Sequence, residues 1–258
     1  MHTLQAQLEP PPVLKLLAHE IRWQLLGALA YSDYHVQELV ERLKKPMNLI
    51  SYHLRLLRTA ALVHERRSAA DARDVYYSLD LLHFQSVYKV AVESLHPALG
   101  ERQPEPAQPA EADNRPPTRI LFLCTHNSAR SQIAEALMRH LGGSRVEAYS
   151  AGTEQTRVHP TALTVLQNHQ IDTSQLSSKH LGQFIGQKFD YVVTVCDRAK
   201  ESCPIFPGDP ERIHWSFPDP SAVTDPDGQY RAFLQVFVEL EKRLTILLTL
   251  IDRNRKNG

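Results

Sequence analysis

Between Glu101 and Thr118 the chain reads ERQPEPAQPAEADNRPPT, with five prolines and no Leu, Ile, Val, Met or aromatic side chain. Such a segment buries nothing that could offset the entropy of ordering it, so a semi-extended linker is expected there. Any core must therefore form on one side of it or the other, in residues 1–100 or in residues 119–258. Each part is long enough to bury a core of its own. No internal repeat is visible.

The two parts are patterned differently. Residues 1–100 read as mainly helical: apolar residues recur at helical spacing from Leu14 to Ala30, Val36 to Leu43 forms a short helix stopped by Lys44-Lys45-Pro46, and a further helix spans Met47 to Thr59. In that helix Ile50, Leu54 and Leu57 share one face, and Asn48, Ser51, Tyr52 and Arg55 share another. Leu62 to Glu65 and Val75 to Leu79 are strand-like runs around a charged loop, Arg66 to Asp74. Leu81 to Leu95 closes the part as a helix, with Leu81, Phe84, Tyr88, Ala91 and Leu95 on one stripe. Residues 119–258 alternate instead. Strands are expected at Arg119 to Leu123, Val146 to Ser150 and Tyr191 to Val195, and helices at Ser131 to Leu141, Pro160 to Asn168 and Tyr230 to Ile251. That alternation predicts an α/β layer structure around a parallel sheet.

Composition narrows the class. Hydrophobic residues at 42% and charged residues at 22% are those of a soluble globular chain. The longest apolar candidate, Phe233 to Ile251, is interrupted by Glu239, Glu241, Lys242 and Arg243, so no membrane span is expected. The N-terminus lacks the basic-then-apolar order of a signal peptide, and a cytoplasmic location is expected. Net charge is zero, but Val36 to Ser68 carries seven Lys/Arg against three Asp/Glu, a local excess that suits a polyanionic partner. The three cysteines, Cys124, Cys196 and Cys203, all lie in the second part. An odd number in such a chain points to reactive thiols rather than a disulfide framework.

Cys124-Thr125-His126-Asn127-Ser128-Ala129-Arg130-Ser131 falls between a predicted strand and a predicted helix. A loop of this length can turn its backbone N–H groups around a tetrahedral oxyanion, with the helix N-terminus adding positive potential. Arg130 would clamp two oxygens, and Ser131 could donate to the sulfur. The same field is expected to lower the pKa of Cys124, the nucleophile.

Residues 119–258 resemble the low-molecular-weight tyrosine phosphatase fold on this loop, with Asn127 and Ser131 also at that family's loop positions. Within it they look most like the thioredoxin-coupled arsenate reductases, through Thr194-Val-Cys196-Asp-Arg-Ala-Lys-Glu-Ser-Cys203-Pro and His214-Trp-Ser-Phe-Pro-Asp219-Pro220. The resemblance implies a three-thiol relay. Cys124 attacks arsenate, Cys196 attacks Cys124 and releases arsenite, and Cys203 passes the disulfide to thioredoxin or a similar protein. A dithiol supplies the two electrons this reduction needs, with no bound cofactor or metal. Asp219 is by resemblance the general acid. Some such reductases bind potassium where Asn127, Glu135 and Ser150 stand here. Lys179 lies near the place of the acidic ligand, and its ammonium could replace the ion, so potassium is not expected.

The first part resembles the ArsR-type repressors through Leu16-Leu-Ala-His-Glu-Ile-Arg22, Ser51-Tyr-His-Leu-Arg-Leu-Leu57 and Val75-Tyr-Tyr-Ser-Leu79. That implies a winged helix-turn-helix on a double-stranded DNA operator. Asn48, Ser51, Tyr52 and Arg55 would face the major groove, and Arg66, Arg67 and Arg73 would follow phosphates from the wing. Leu14 to Ala30 and Leu81 to Leu95 would form a homodimer interface. Sensors of that family hold arsenite on clustered cysteines, and residues 1–118 contain none. Asp80, Glu93 and His96 fall near the positions of a zinc-type site, but Leu82 takes the place of a fourth ligand.

The expected protein is thus an ArsR-type regulator joined to an arsenate reductase. Two competitors remain: a phosphatase joined to a regulator, for which Cys196 and Cys203 would be idle, and a non-enzymatic oxyanion or redox sensor. Ser221, where phosphatases of this fold usually carry an aromatic residue, disfavours the first.

Overall fold

The computed structural model describes residues 10–95 and 115–257. Most of the expected linker, and His96, lie outside them. The chain divides into two compact units.

In the first unit the run from Leu14 to Ala30 is two helices, α1 (Pro12–Leu17) and α2 (Glu20–Leu29). The apolar periodicity runs through the break without registering it. His19 is extended there and its Nδ1 accepts the Ile21 N–H at 3.2 Å, a cap outside the usual Ser/Thr/Asp/Asn set. A short strand, β1 (Tyr34–His35), leads into α3 (Val36–Leu43). His35 and Glu38 cap α3 reciprocally, at 3.4 and 3.1 Å, and Lys44 ends it in the left-handed region with φ +53°. Helix α4 (Met47–Thr59) follows Pro46, and then an antiparallel pair, β2 (Val63–Arg67) and β3 (Val75–Leu79). Strand β1 pairs with the other edge of β3.

The core of this unit is Leu25, Leu26, Leu29, Leu39, Ile50, Leu54, Leu57 and Leu62, so the inward face of α4 is the one the sequence indicates. Helix α5 (Leu81–Glu93) differs from expectation: Leu81, Phe84 and Val87 pack toward the core and Ala91 is buried, but Tyr88 is exposed, as is Leu95 beyond its end. Asp80 is occupied as the cap of α5, accepting the His83 N–H at 2.9 Å and facing His64 Nε2 at 2.8 Å.

The second unit is a four-stranded parallel sheet in the order β5-β4-β6-β7, built from β4 (Thr118–Cys124), β5 (Val146–Gly152), β6 (Tyr191–Thr194) and β7 (Glu211–His214). Helices α6 (Arg130–Gly142), α7 (Pro160–Asn168), α8 (Asp197–Glu201) and α9 (Pro226–Asn257) complete it. Strand β4 is buried along Ile120–Cys124, as a sheet-centre strand should be. The long α9 buries Phe233, Val236, Phe237, Leu240, Leu244, Leu247 and Ile251 at helical spacing. The first strand of this sheet lies between the second and the third, so the chain leaves β4 and β6 in opposite directions. In open α/β sheets the region beyond the carboxyl ends of two such strands is the usual ligand site. Cys124 ends β4, and Cys196 lies two residues past β6. Among the described residues no helix is long and apolar enough to cross a membrane.

Candidate active site

The polypeptide between β4 and α6 folds around the Cys124 sulfur. Sγ accepts the Asn127 N–H at 3.1 Å and lies 2.8 Å from Ser131 Oγ. Asn127 takes the left-handed conformation, φ +48°, one that asparagine tolerates better than most side chains. Its amide is held on all sides. Nδ2 donates to Ser131 Oγ at 2.9 Å and to Ser150 Oγ at 2.8 Å, while Oδ1 accepts from Gln132 Nε2 at 2.8 Å and from the Lys179 N–H at 2.7 Å. Because Ser131 Oγ already accepts from Asn127, its own proton is available to the Cys124 sulfur.

The rest of the loop is tied down by main-chain contacts. Thr125 O accepts from the Glu154 N–H and Ser128 O from the His159 N–H, both at 2.8 Å. His126 Nδ1 stands 3.2 Å from Glu154 Oε2. Ala129 is buried and precedes the first residue of α6, Arg130. Arg130 is itself buried, donating to Phe217 O at 3.0 Å and facing Asp219 Oδ2 at 3.3 Å. Two segments distant in sequence are thereby joined across the mouth of the loop.

Burial pushes the Cys124 thiol up, and the Cys196 thiol adds to that, against Arg130 and Ser131, which pull it down. This corrects the expectation of a depressed thiol. The sulfur lies so deep that desolvation outweighs the loop's side-chain field. Alkylation of Cys124 by iodoacetamide, read by peptide mass spectrometry against pH, should accordingly rise on the alkaline side of the ordinary thiol range. Cys196→Ser should move the inflection down and Arg130→Gln should move it up. A Cys196→Ser inflection above wild type would contradict this account.

The carboxyl of Asp219 is held in the opposite sense to the thiol. Burial raises the Asp219 pKa, but Arg130, two hydrogen bonds from Ser221 and His126 together hold it below the usual carboxylate range. Ser221 donates to Oδ1 through its N–H at 3.1 Å and its hydroxyl at 2.7 Å. Sequence reasoning noticed Ser221 only as a missing aromatic residue; here it fixes the carboxylate. It passed over Thr125 as a partner of Cys196, whose sulfur lies 3.4 Å from the Thr125 hydroxyl.

Cys196 is buried and immediately precedes α8, and Cys203 follows that helix, half-buried, its thiol pushed up by burial against the pull of Arg212. Asp197, the first residue of α8, is buried and receives Ser216 Oγ at 2.6 Å and His214 Nε2 at 3.2 Å. Thus the His-Trp-Ser segment anchors the base of the helix between the two cysteines.

Residues 119–257 match the family model described as low molecular weight phosphotyrosine protein phosphatase. The chain belongs to this family. It is similar to an arsenate reductase of Halalkalibacterium halodurans, 40% identical over 48% of this chain and 91% of that protein. It is also similar to an arsenate reductase of Bacillus cereus, 41% identical over 48% of this chain and 90% of that one. A solved arsenate reductase in its phosphate-binding state aligns at 28% identity and TM-score 0.42, over 52% of this chain and 98% of that one. Residues 19–65 match the model for bacterial regulatory proteins of the arsR family.

In the arsR-like unit Asn48, Ser51, Tyr52 and Arg55 are all exposed on α4 and, with Arg58 and Tyr77, line one open depression. The Arg55 guanidinium lies 5.6 Å from the Tyr52 ring centroid, and Arg58 pairs with Glu65. Arg66 is partly exposed and Arg67 exposed on β2, and Arg73 is exposed just before β3.

Proposed function

We propose that the low molecular weight phosphatase-like unit reduces arsenate to arsenite and that the arsR-like unit binds a DNA operator. The observation that carries the first half is the placement of the thiols. Cys124 lies in the loop between β4 and α6, Cys196 rests against that loop's Thr125, and Cys203, less buried than the other two thiols, follows α8. A phosphatase needs only the first.

The chemistry follows from these positions. Arsenate enters the loop and takes Arg130 from Asp219, which loses its principal stabilising charge and can then accept the Cys124 proton. The Cys124 thiolate forms an S–As bond, and Asp219 returns the proton to the departing oxygen, which leaves as water. Cys196, as thiolate, attacks Cys124 Sγ. The S–As electron pair goes to arsenic, arsenite leaves, and a Cys124–Cys196 disulfide remains. Cys203 then attacks Cys196, restoring Cys124 and forming Cys196–Cys203, which a protein dithiol of the thioredoxin type reduces.

On the regulatory side, the outward row of α4 would read the major groove, with Arg66, Arg67 and Arg73 following phosphates from the β2–β3 wing. The exposed Tyr88, Val90 and Leu95 suit a homodimer, and a cytoplasmic setting suits a reducing relay.

The deciding experiment couples purified protein to thioredoxin and its reductase. Reductant should be consumed only when arsenate is present, and Cys124→Ser should abolish consumption. Hydrolysis of p-nitrophenyl phosphate that survives Cys196→Ser, with no arsenate turnover, would establish the phosphatase reading instead.

A further inference from the structure

In the proposed relay Cys203 attacks a disulfide, and a thiol does so only as its thiolate. The surroundings of Cys203 work against that form. Burial pushes its thiol up, and its S–H donates to the Pro204 carbonyl oxygen at 3.7 Å, a contact that only the protonated thiol can make. Cys203 is thus held by the opposite kind of partner from Cys124, whose sulfur accepts the Asn127 N–H.

The chain beyond Cys203 brings a compensating charge to this place. Phe206 is buried and packs edge-on against Phe189 at 5.7 Å, which fastens the loop to the segment before β6. Gly208 and Asp209 then reverse the chain in left-handed conformations, φ +88° and +51°, and deliver it into β7. Strand β7 lies at the edge of the sheet beside β6, and its second residue, Arg212, is exposed. From there Arg212 Nη2 donates back to Pro204 O at 3.3 Å. The thiol and the guanidinium therefore share one carbonyl oxygen. Charges of both signs stand nearby in the chain: Arg198, Lys200 and Glu201 on α8, Asp209 in the loop, Glu211 on β7, and Lys188 beside Gly208. Arg212 is the charge that offsets the burial of the thiol.

We propose that Arg212 is a positioning residue for the third thiol, its guanidinium tying down the Pro204 carbonyl beside Cys203 and carrying the charge of the Cys203 sulfur as that sulfur attacks Cys196. The assignment to this step rests on the reductase reading above. When Cys203 gives up its proton to water, its contact with Pro204 O is lost, and a guanidinium N–H can turn to the sulfur instead. The thiolate attacks Cys196 Sγ. The Cys196–Cys203 bond forms, the Cys124–Cys196 bond breaks, and its electron pair leaves on Cys124, which takes up a proton. The S–As step and the release of arsenite come earlier and do not involve Arg212.

Two measurements on the full chain test this, each comparing the parent with Arg212→Met and Arg212→Lys. The first is iodoacetamide alkylation of Cys203 against pH in a Cys124→Ser/Cys196→Ser background, which needs no arsenate. Arg212→Met should slow alkylation roughly threefold at neutral pH, the scale of a partly exposed charge interaction. It should match the parent at alkaline pH, where the thiolate is complete and only access to the sulfur counts. Arg212→Lys keeps the charge and should lie close to the parent. The second measurement uses protein with all its thiols, given one addition of arsenate without reductant, quenched in acid at intervals and mapped by mass. Arsenite should appear at the same rate in the three proteins. Passage of the disulfide from Cys124–Cys196 to Cys196–Cys203 should be roughly threefold slower in Arg212→Met alone. If Arg212→Met does not fold, Arg212→Gln takes its place with the same readouts. An unchanged alkylation profile, a loss that persists at alkaline pH, or a loss that lysine does not restore would overturn the proposal, as would equal transfer rates in the three proteins. If none of the three yields arsenite or a disulfide while alkylation behaves as stated, the reductase reading fails and the tie between Arg212 and Cys203 stands.

Discussion

Cys203→Ser is expected to convert a multiple-turnover enzyme into one that releases about one arsenite per chain and stops, because exchange passes a single disulfide along the thiols in order. The geometry supplies the reason. Cys196 is buried against Thr125 and within electrostatic reach of Cys124, so in the proposed relay their disulfide would form among buried residues. Cys203 lies beyond α8 and is the more accessible thiol. Without it the bond between Cys124 and Cys196 should persist, shielded from an external dithiol. Peptide mapping after one addition of arsenate, without alkylation, should recover that disulfide in near-stoichiometric amount. Arsenite release continuing at the wild-type rate would mean that the reductant reaches Cys196 directly, and the order given to the thiols would be wrong.

Helix α8 also shows why the sequence revealed the thiols but not how they are held. The spacing of Cys196 and Cys203 is a one-dimensional fact, and it was readable. That Asp197 is pinned by Ser216 and His214 depends on β7 pairing beside β6 with Thr194 opposite His214, a register that no local pattern specifies. Strand β7, at four residues, is too short for periodicity to find. The break between α1 and α2 escaped for a related reason, since its cap is a histidine and the apolar spacing continues across it. On α4, by contrast, burial alternates with the helical period, and the inward Ile50, Leu54 and Leu57 were legible with the outward row that follows from them. The motif around Cys124 describes the loop's positive field and is silent about depth and about a second thiol nearby, so it implies a lowered thiol pKa where burial raises it.

The other large effect is expected at Gly152, which ends β5 directly opposite Cys124 in the parallel register. Its backbone needs no left-handed freedom; the demand is for space. A β-carbon added there would sit 2.5 Å from Thr125 O and 2.8 Å from the Asn127 N–H nitrogen. Both are backbone atoms of the catalytic loop, and neither can swing aside as a side-chain tip could. Relief requires the loop to move away from β5, which carries the Asn127 N–H off the Cys124 sulfur and strains the bonds that Asn127 makes to Ser131 and Ser150. Overpacking of this kind costs about 1–3 kcal/mol of stability, which a well-packed domain survives. Misplacing the nucleophile's surroundings by an ångström lowers turnover roughly a hundredfold. Gly152→Ala should therefore remain folded, by circular dichroism and a modestly lowered melting temperature, while kcat falls far more than the stability loss explains. Cys124 alkylation should fall with it, since the same N–H supports the thiolate. A variant with lowered stability but unaltered kcat and alkylation would show that the loop is free to shift without consequence, and that close approach at Gly152 does not set the geometry of the nucleophile.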